Sequence, residues 1–548
     1  MTPLPLSEGT RRRAGSSWAD VGVWLATASG VFAEALCPAI ILAILFDCTS
    51  FRGWIEYDRD TSIYATIARF WPQGMMPYRD IYDFKPPLIF AALRAGFALW
   101  DYHPESLRRI LMGLTAAGSL VMYFGLRRSG ALIAAPLATL GLLTLIVPDS
   151  TTAMMQNTEP LVAAFTAAAI GCAAAHQRAA AWRWALAAGA CVGLATLGKQ
   201  PGIIFALPVV VQLALSAGPR TGWERLRHAL GRSLLAAAGF VLVMTPVALY
   251  FAWRGALSAL YHAVFVDGGR YAGVQLPIFL TPRGFLEFLK ARGTGAFKGW
   301  LGTSRAWPFV WAVATLVPAT VLAPSRRVLI PWAWLVAGYL AVIAGTLGDP
   351  HYLTMAYPSL ALALGLIFQL VLEGFPQPTC NARRQLLGAV LMASLLFGDR
   401  WETVYLPARA VALANVATDP AEVVGERIRQ AAKPGDTLFV EDQPFSIYVY
   451  AGIPPVSRFI YWNAPNPEAE PAFGQSLELQ PTFVFVAAAS AARLRKGVTE
   501  AGMGFALLSK ALTTHYEELF RCPGGGIVYR RSDGARGALI QPVVRLTP

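Results

Sequence analysis

The feature that most constrains this chain is a succession of apolar runs separated by short basic clusters. The runs recur at roughly 22–46, 107–126, 131–147, 160–175, 183–197, 202–216, 233–253, 306–323, 328–347, 354–372 and 386–399. A bilayer-spanning helix needs about 20 predominantly apolar residues. Several runs are shorter, so their boundaries are soft, but the succession describes a polytopic α-helical membrane protein. Of 548 residues, 55% are hydrophobic and only 14% charged, against about 25% charged in a typical soluble domain. The net charge of +13 alone would suggest nucleic acid. Here, however, the Lys and Arg residues sit between apolar runs, where they set membrane orientation. A cytosolic enzyme, a disordered chain and a nucleic-acid binder are excluded. The six cysteines have no metal-ligand spacing and are expected as free thiols. Arg11 to Arg13 precede a span-sized run with no clear small-residue cleavage site, which reads as a first span rather than a cleaved signal.

Topology turns on one stretch, Pro86 to Trp100. If it spans, Arg127–Arg128, Arg178, Arg183 and Arg326–Arg327 part company with the N-terminal arginines. If it lies at the surface, every basic cluster falls on one side, as the positive-inside bias requires. The expectation is therefore about eleven spans, with 86–100 an interfacial helix on the outer face. Most carboxylates of the first 400 residues then fall in outer loops. Glu34 lies within the first span, about three turns below the outer face at 1.5 Å per residue, and reads as structural. Two units follow: residues 1–400, the membrane part, and 401–548, an extracytoplasmic α/β domain. In the second, 420–433 reads as an amphipathic helix and 436–442, 482–488 and 526–531 as strands. No Gly-rich phosphate loop is present there.

Chemistry concentrates in the first outer loop, EYDRDTSIYATIARFWPQGMMPYRDIYDFKPPLIF from Glu56. Asp58 and Asp60 follow the first span. Thr61 to Trp71 has helical periodicity, and DFKPP opens the interfacial helix. Asp60 suits both a helix N-cap and a catalytic base, and these residues alone leave the two roles level. Asp58 and Asp60 also form a D-x-D, a form that holds cations in sugar-nucleotide enzymes, but no histidines stand at ligand spacing. The expectation is no cofactor and no obligatory divalent cation.

The run D-x-x-x-Y-x-x-I-A from Asp60 through Tyr64, then G-x-x-P-Y-R-D, then D-x-K-P-P-L with Lys85, resembles the first periplasmic loop of polyprenyl-phosphate-sugar-dependent glycosyltransferases. These form the GT-C superfamily, in the branch with protein O-mannosyltransferases and the lipid A aminoarabinose transferase (glycosyltransferase family 39 and relatives). The resemblance covers roughly residues 20–400. It implies a GT-C fold with periplasmic juxtamembrane helices in a bacterial cytoplasmic membrane. It also implies a polyprenyl-phosphate sugar donor, an inverting mechanism and Asp60 as catalytic base. The family's usual neighbour is Glu, where this chain has Thr61, which leaves Asp58 as the substitute carboxylate.

By the same resemblance Lys85 holds the donor phosphate, Lys199 in LGKQPG matches a second family lysine, and Tyr352 in DPHYLT a family tyrosine. Glu159, in QNTEPLV, stands where the family carries an acidic residue before proline, and is expected as a second active-site carboxylate. Arg270, which opens the long outer loop at roughly 254–305, is suited to clamping phosphate. Each position also has a plain structural role: a snorkelling lysine for Lys85, a helix-dipole carboxylate for Glu159, an interfacial aromatic for Tyr352, a loop ion pair for Arg270. The expected partners are the lipid-linked sugar, a lipid, glycan or protein acceptor, and membrane lipids. The rival readings are a transporter or flippase, which would carry charges near the midplane and symmetric broken helices, and a non-catalytic assembly partner.

Overall fold

The computed structural model describes residues 37–50, 56–146, 157–179, 181–216, 222–272, 312–313, 316–317, 320, 328–344, 350–373, 419–461, 464–495, 503–522 and 524–532. Glu34, the run 386–399 and most of 306–323 lie outside them.

Among the described residues, the secondary structure of the membrane part is almost entirely helical. A helix α1 (Cys37–Ser50) leads to α2 (Arg59–Phe70) and α3 (Leu88–Leu99). These two match the helix at 61–71 and the interfacial segment at 86–100 to within two residues. Then come α4 (Glu105–Ser129), α5 (Ala134–Ile146), α6 (Glu159–Ala179), α7 (Trp182–Gly198), α8 (Ala206–Leu215), α9 (Gly222–Trp253), α10 (Leu329–Ile343) and α11 (Tyr357–Glu373). Among the described residues, four helices are long and apolar enough to cross a membrane by length and composition: Glu105–Ser129, Glu159–Arg178, Gly222–Trp253 and His351–Leu370. Helix α9 begins eleven residues before its apolar run, so Arg225, Arg227 and Arg232 form its first turns rather than a loop. It leaves Leu234, Leu242 and Leu249 exposed at 60%, 61% and 63%, a face suited to hydrocarbon and costly in water.

Small residues bring the helices into backbone contact. A Cβ on Gly125 of α4 would stand 2.0 Å from the carbonyl oxygen of Gly171 on α6, and one on Gly189 of α7 would stand 1.8 Å from that of Ala236 on α9. This is how membrane helices gain dispersion contacts, since burial away from lipid adds no hydrophobic driving force.

After residue 419 the pattern changes to α12 (Pro420–Ala431), β1 (Leu438–Val440), α13 (Ser446–Ala451), β2 (Phe483–Val486), β3 (Tyr516–Arg521) and β4 (Ile527–Arg531). The sheet has order β1-β2-β4-β3. Its β1–β2 pair is parallel, and the other two pairs are antiparallel. Three strands fall within the expected windows. The fourth, β3, was not foreseen, because YEELFR exposes its two glutamates and carries an irregularity between Glu518 and Phe520.

This C-terminal segment packs onto the first loop. Thr66 of α2 donates to the Phe445 carbonyl (3.3 Å), Arg458 donates to the Tyr78 carbonyl (2.8 Å), and the Tyr82 amide donates to the Arg458 carbonyl (2.8 Å). Cys522 is a buried free thiol, as are Cys37 and Cys172.

Candidate active site

The first loop is a buried polar layer. The N-cap of α2 is Asp58, not Asp60: Asp58 Oδ1 accepts from the Thr61 amide at 2.7 Å. With the cap filled one turn-position earlier, the Asp60 carboxylate is released from that duty. Asp60 Oδ2 accepts instead from Asn157 Nδ2 (3.3 Å), and Asn157 Oδ1 accepts from the Tyr64 hydroxyl (3.2 Å) and the Thr158 amide (2.8 Å). Tyr64 and Asn157 thus orient Asp60. Burial pushes the Asp58 carboxyl up to about 7, against the hydrogen bond from Thr61.

Lys85 follows from the loop's next turn. It is 4% exposed; its amide donates to Asp83 Oδ1 (2.7 Å), and its carbonyl accepts from the Tyr78 hydroxyl (2.8 Å). Its ammonium lies 4.3 Å from the Phe84 ring centroid and 5.2 Å from that of Tyr271, close enough for cation–π attraction. No carboxylate among the described residues forms an ion pair with it. Burial opposes its charge, but the oxygens of Tyr352, Asp60, Asp83 and Tyr271 outweigh that and hold the ammonium above its ordinary value. Asp83, 2% exposed, is pushed by burial to about 7.

Lys199, 4% exposed in the turn between α7 and α8, is paired. Its ammonium contacts Oε1 of Glu159, the fully buried first residue of α6, and lies 3.8 Å from the Tyr352 ring centroid. His351 Nε2 stands 3.6 Å from the same Glu159 oxygen, with its ring 4.4 Å from that of Tyr352. Burial draws Lys199 down to about 8; Glu159 resists this and Lys85 adds to it.

The structure therefore gathers Asp58, Asp60, Tyr64, Lys85, Glu159, Lys199 and Tyr352 from five separate stretches of chain. Arg270 stands apart: it pairs with Asp267 (2.9 Å) and its side chain is 54% exposed. Asp267 in turn accepts from the Tyr82 hydroxyl and from Asn466 Nδ2, both at 2.9 Å. Glu159 Oε1 faces Lys199 and His351, while its Oε2 accepts from the Thr158 hydroxyl (3.4 Å). Asn157 and Asp83 were missed by the sequence reading, although both lie in the motifs it singled out, QNTEP and DFKPP.

Residues 84–251 match a family profile described as dolichyl-phosphate-mannose-protein mannosyltransferase. The fold is similar to that of ArnT from Cupriavidus metallidurans bound to undecaprenyl phosphate, with a TM-score of 0.58 at 17% identity, covering 93% of this chain and 100% of that one. The same protein in its apo state gives 0.53 at 16% identity, over 96% and 100%. An oligosaccharyltransferase of Archaeoglobus fulgidus aligns at 0.45 and 16% identity, over 92% and 75%. No curated protein sequence matches the chain. Over nearly its whole length the chain shares the fold of ArnT. The segment matched by the mannosyltransferase profile carries the last part of the first loop, Lys85, Glu159 and Lys199.

Proposed function

We propose that the protein moves a monosaccharide from a polyprenyl-phosphate carrier to an acceptor hydroxyl at the outer face of a bacterial cytoplasmic membrane. The observation that supports this reading is the buried Lys85 ammonium, which pairs with no carboxylate among the described residues, beside a carboxylate, Asp60, that is oriented yet spared from helix capping. Lys85, with Lys199 behind it, holds the departing phosphate as charge builds on it. Asp60 takes the proton of the incoming hydroxyl, and attack from the side opposite the phosphate inverts the anomeric carbon. Glu159 and His351 position Lys199, and Tyr352 shields it. Tyr64 and Asn157 set the angle of Asp60. No obligatory metal is part of this reading. Arg270 has no role in this reading.

The test is transfer by the purified protein in nanodiscs, supplied with radiolabelled polyprenyl-phosphate sugars and a crude envelope acceptor fraction. Label should leave the carrier. Intact carrier under every combination would overturn the reading and favour a transporter or a non-catalytic partner.

One pH dependence follows. The Lys199 ammonium is charged below about 8 and neutral above it, so affinity for undecaprenyl phosphate should be full near pH 7 and fall as pH rises through 8. Lys199→Arg keeps its charge and should move that fall upward by at least one pH unit. Identical profiles for the two proteins would remove Lys199 from phosphate binding.

A further inference from the structure

Tyr461 lies in the C-terminal segment, far along the chain from the catalytic loop, yet it is buried against it. It is 6% exposed, and its ring centroid is 6.3 Å from that of Tyr82, the residue before Asp83. Phe459 packs on the same Tyr82 at 4.8 Å, and Arg458 fixes the strip through its two backbone-mediated bonds to Tyr78 and Tyr82. Burial, with the charge of Asp83 adding to it, holds the Tyr461 hydroxyl well above its ordinary value.

That hydroxyl is inaccessible to solvent and has no hydrogen-bond partner. A phenol buried without a partner is unusual and destabilising. Its ring neighbour Tyr82 gives its hydroxyl proton to Asp267, and Asp83 Oδ1 accepts from the Lys85 amide. The Tyr461 hydroxyl is left open to a partner that a ligand can supply.

We propose that Tyr461 is a substrate-binding residue, its hydroxyl hydrogen-bonding a hydroxyl group of the sugar carried on the polyprenyl phosphate. The inference rests on the donor reading above. With the phosphate at Lys85, the sugar is the part of the donor that extends past Asp83, and the Tyr82–Tyr461–Phe459 aromatics offer the apolar surface that a pyranose face covers. The C-terminal segment then contributes directly to sugar recognition.

The experiment compares wild type with Tyr461→Phe in nanodiscs. It measures binding of bare undecaprenyl phosphate and of undecaprenyl phosphate carrying mannose, glucose or 4-amino-4-deoxyarabinose. The substitution removes one oxygen and keeps the ring. Affinity for the sugar-lipid that wild type prefers should fall about three- to tenfold, the loss of one neutral hydrogen bond, while affinity for the bare lipid stays unchanged and certifies the fold. Equal affinities of the two proteins for every lipid, or an equal loss on bare and sugar-bearing lipids, would overturn the assignment. If wild type binds none of these lipids, the donor reading itself fails and this inference falls with it.

Discussion

Asp60→Asn should leave the protein folded and still able to bind undecaprenyl phosphate, while transfer falls by about 10²–10⁴-fold, the usual contribution of a positioned general base. Asn matches Asp in size and can still bond Asn157 through its own carbonyl, so the geometry around Tyr64 survives. The helix start is also untouched, because Asp58 and not Asp60 caps α2. Loss of activity with intact binding would therefore isolate proton acceptance from architecture. Full transfer by a folded Asp60→Asn protein would refute the base assignment and move attention to Asp83, the next carboxylate beside Lys85.

The second large effect concerns the buried pair. Glu159→Ala leaves Lys199 buried with its principal counter-charge gone, and breaking such a pair from one side typically costs about 3–5 kcal/mol. The melting temperature in detergent should drop sharply. Replacing both partners, Glu159→Gln with Lys199→Met, removes the stranded charge and should recover most of that stability, since buried pairs are often exchangeable for neutral packing. Transfer separates the roles. If Lys199 works on the phosphate, the double variant is stable but severely impaired. A stable and fully active double variant would reduce the pair to scaffolding.

Much of this was legible in the chain, and the reasons for the rest are physical. Helices α2 and α3 show because their apolar faces repeat at helical period, and β2 shows because FVFV is short, β-branched or aromatic and buried on both faces. The identity of the cap did not show: Asp58 and Asp60 are equally good cap residues, and only the backbone geometry at the helix start decides. The Glu159–Lys199 pair was hidden for another reason. The two residues lie 40 positions apart at the ends of two helices, and the periodicity that places each at the outer lip does not say which way α6 and α7 turn against each other. That turn depends on close approaches between helices, such as Gly198 of α7, where a Cβ would stand 3.0 Å from the Leu161 Cβ of α6. For Arg270 the sequence left a phosphate clamp and a loop ion pair open, and the structure shows the ion pair, with Asp267 three residues earlier. Strand β3 was missed because its pattern is that of a sheet edge, polar and interrupted.

The contacts between the first loop and the C-terminal segment join residues 379 and 380 positions apart. A ribosome adding about 5–20 residues per second would take on the order of 20–80 s to make the intervening chain. During that interval Thr66, Tyr78 and Tyr82 lack their C-terminal partners, and the helices can already be seated in the bilayer. The layer that joins the first loop to the C-terminal segment is thus completed last: a nascent or truncated chain can be inserted in the membrane without the contacts that hold Thr66, Tyr78 and Tyr82 against residues 445–458.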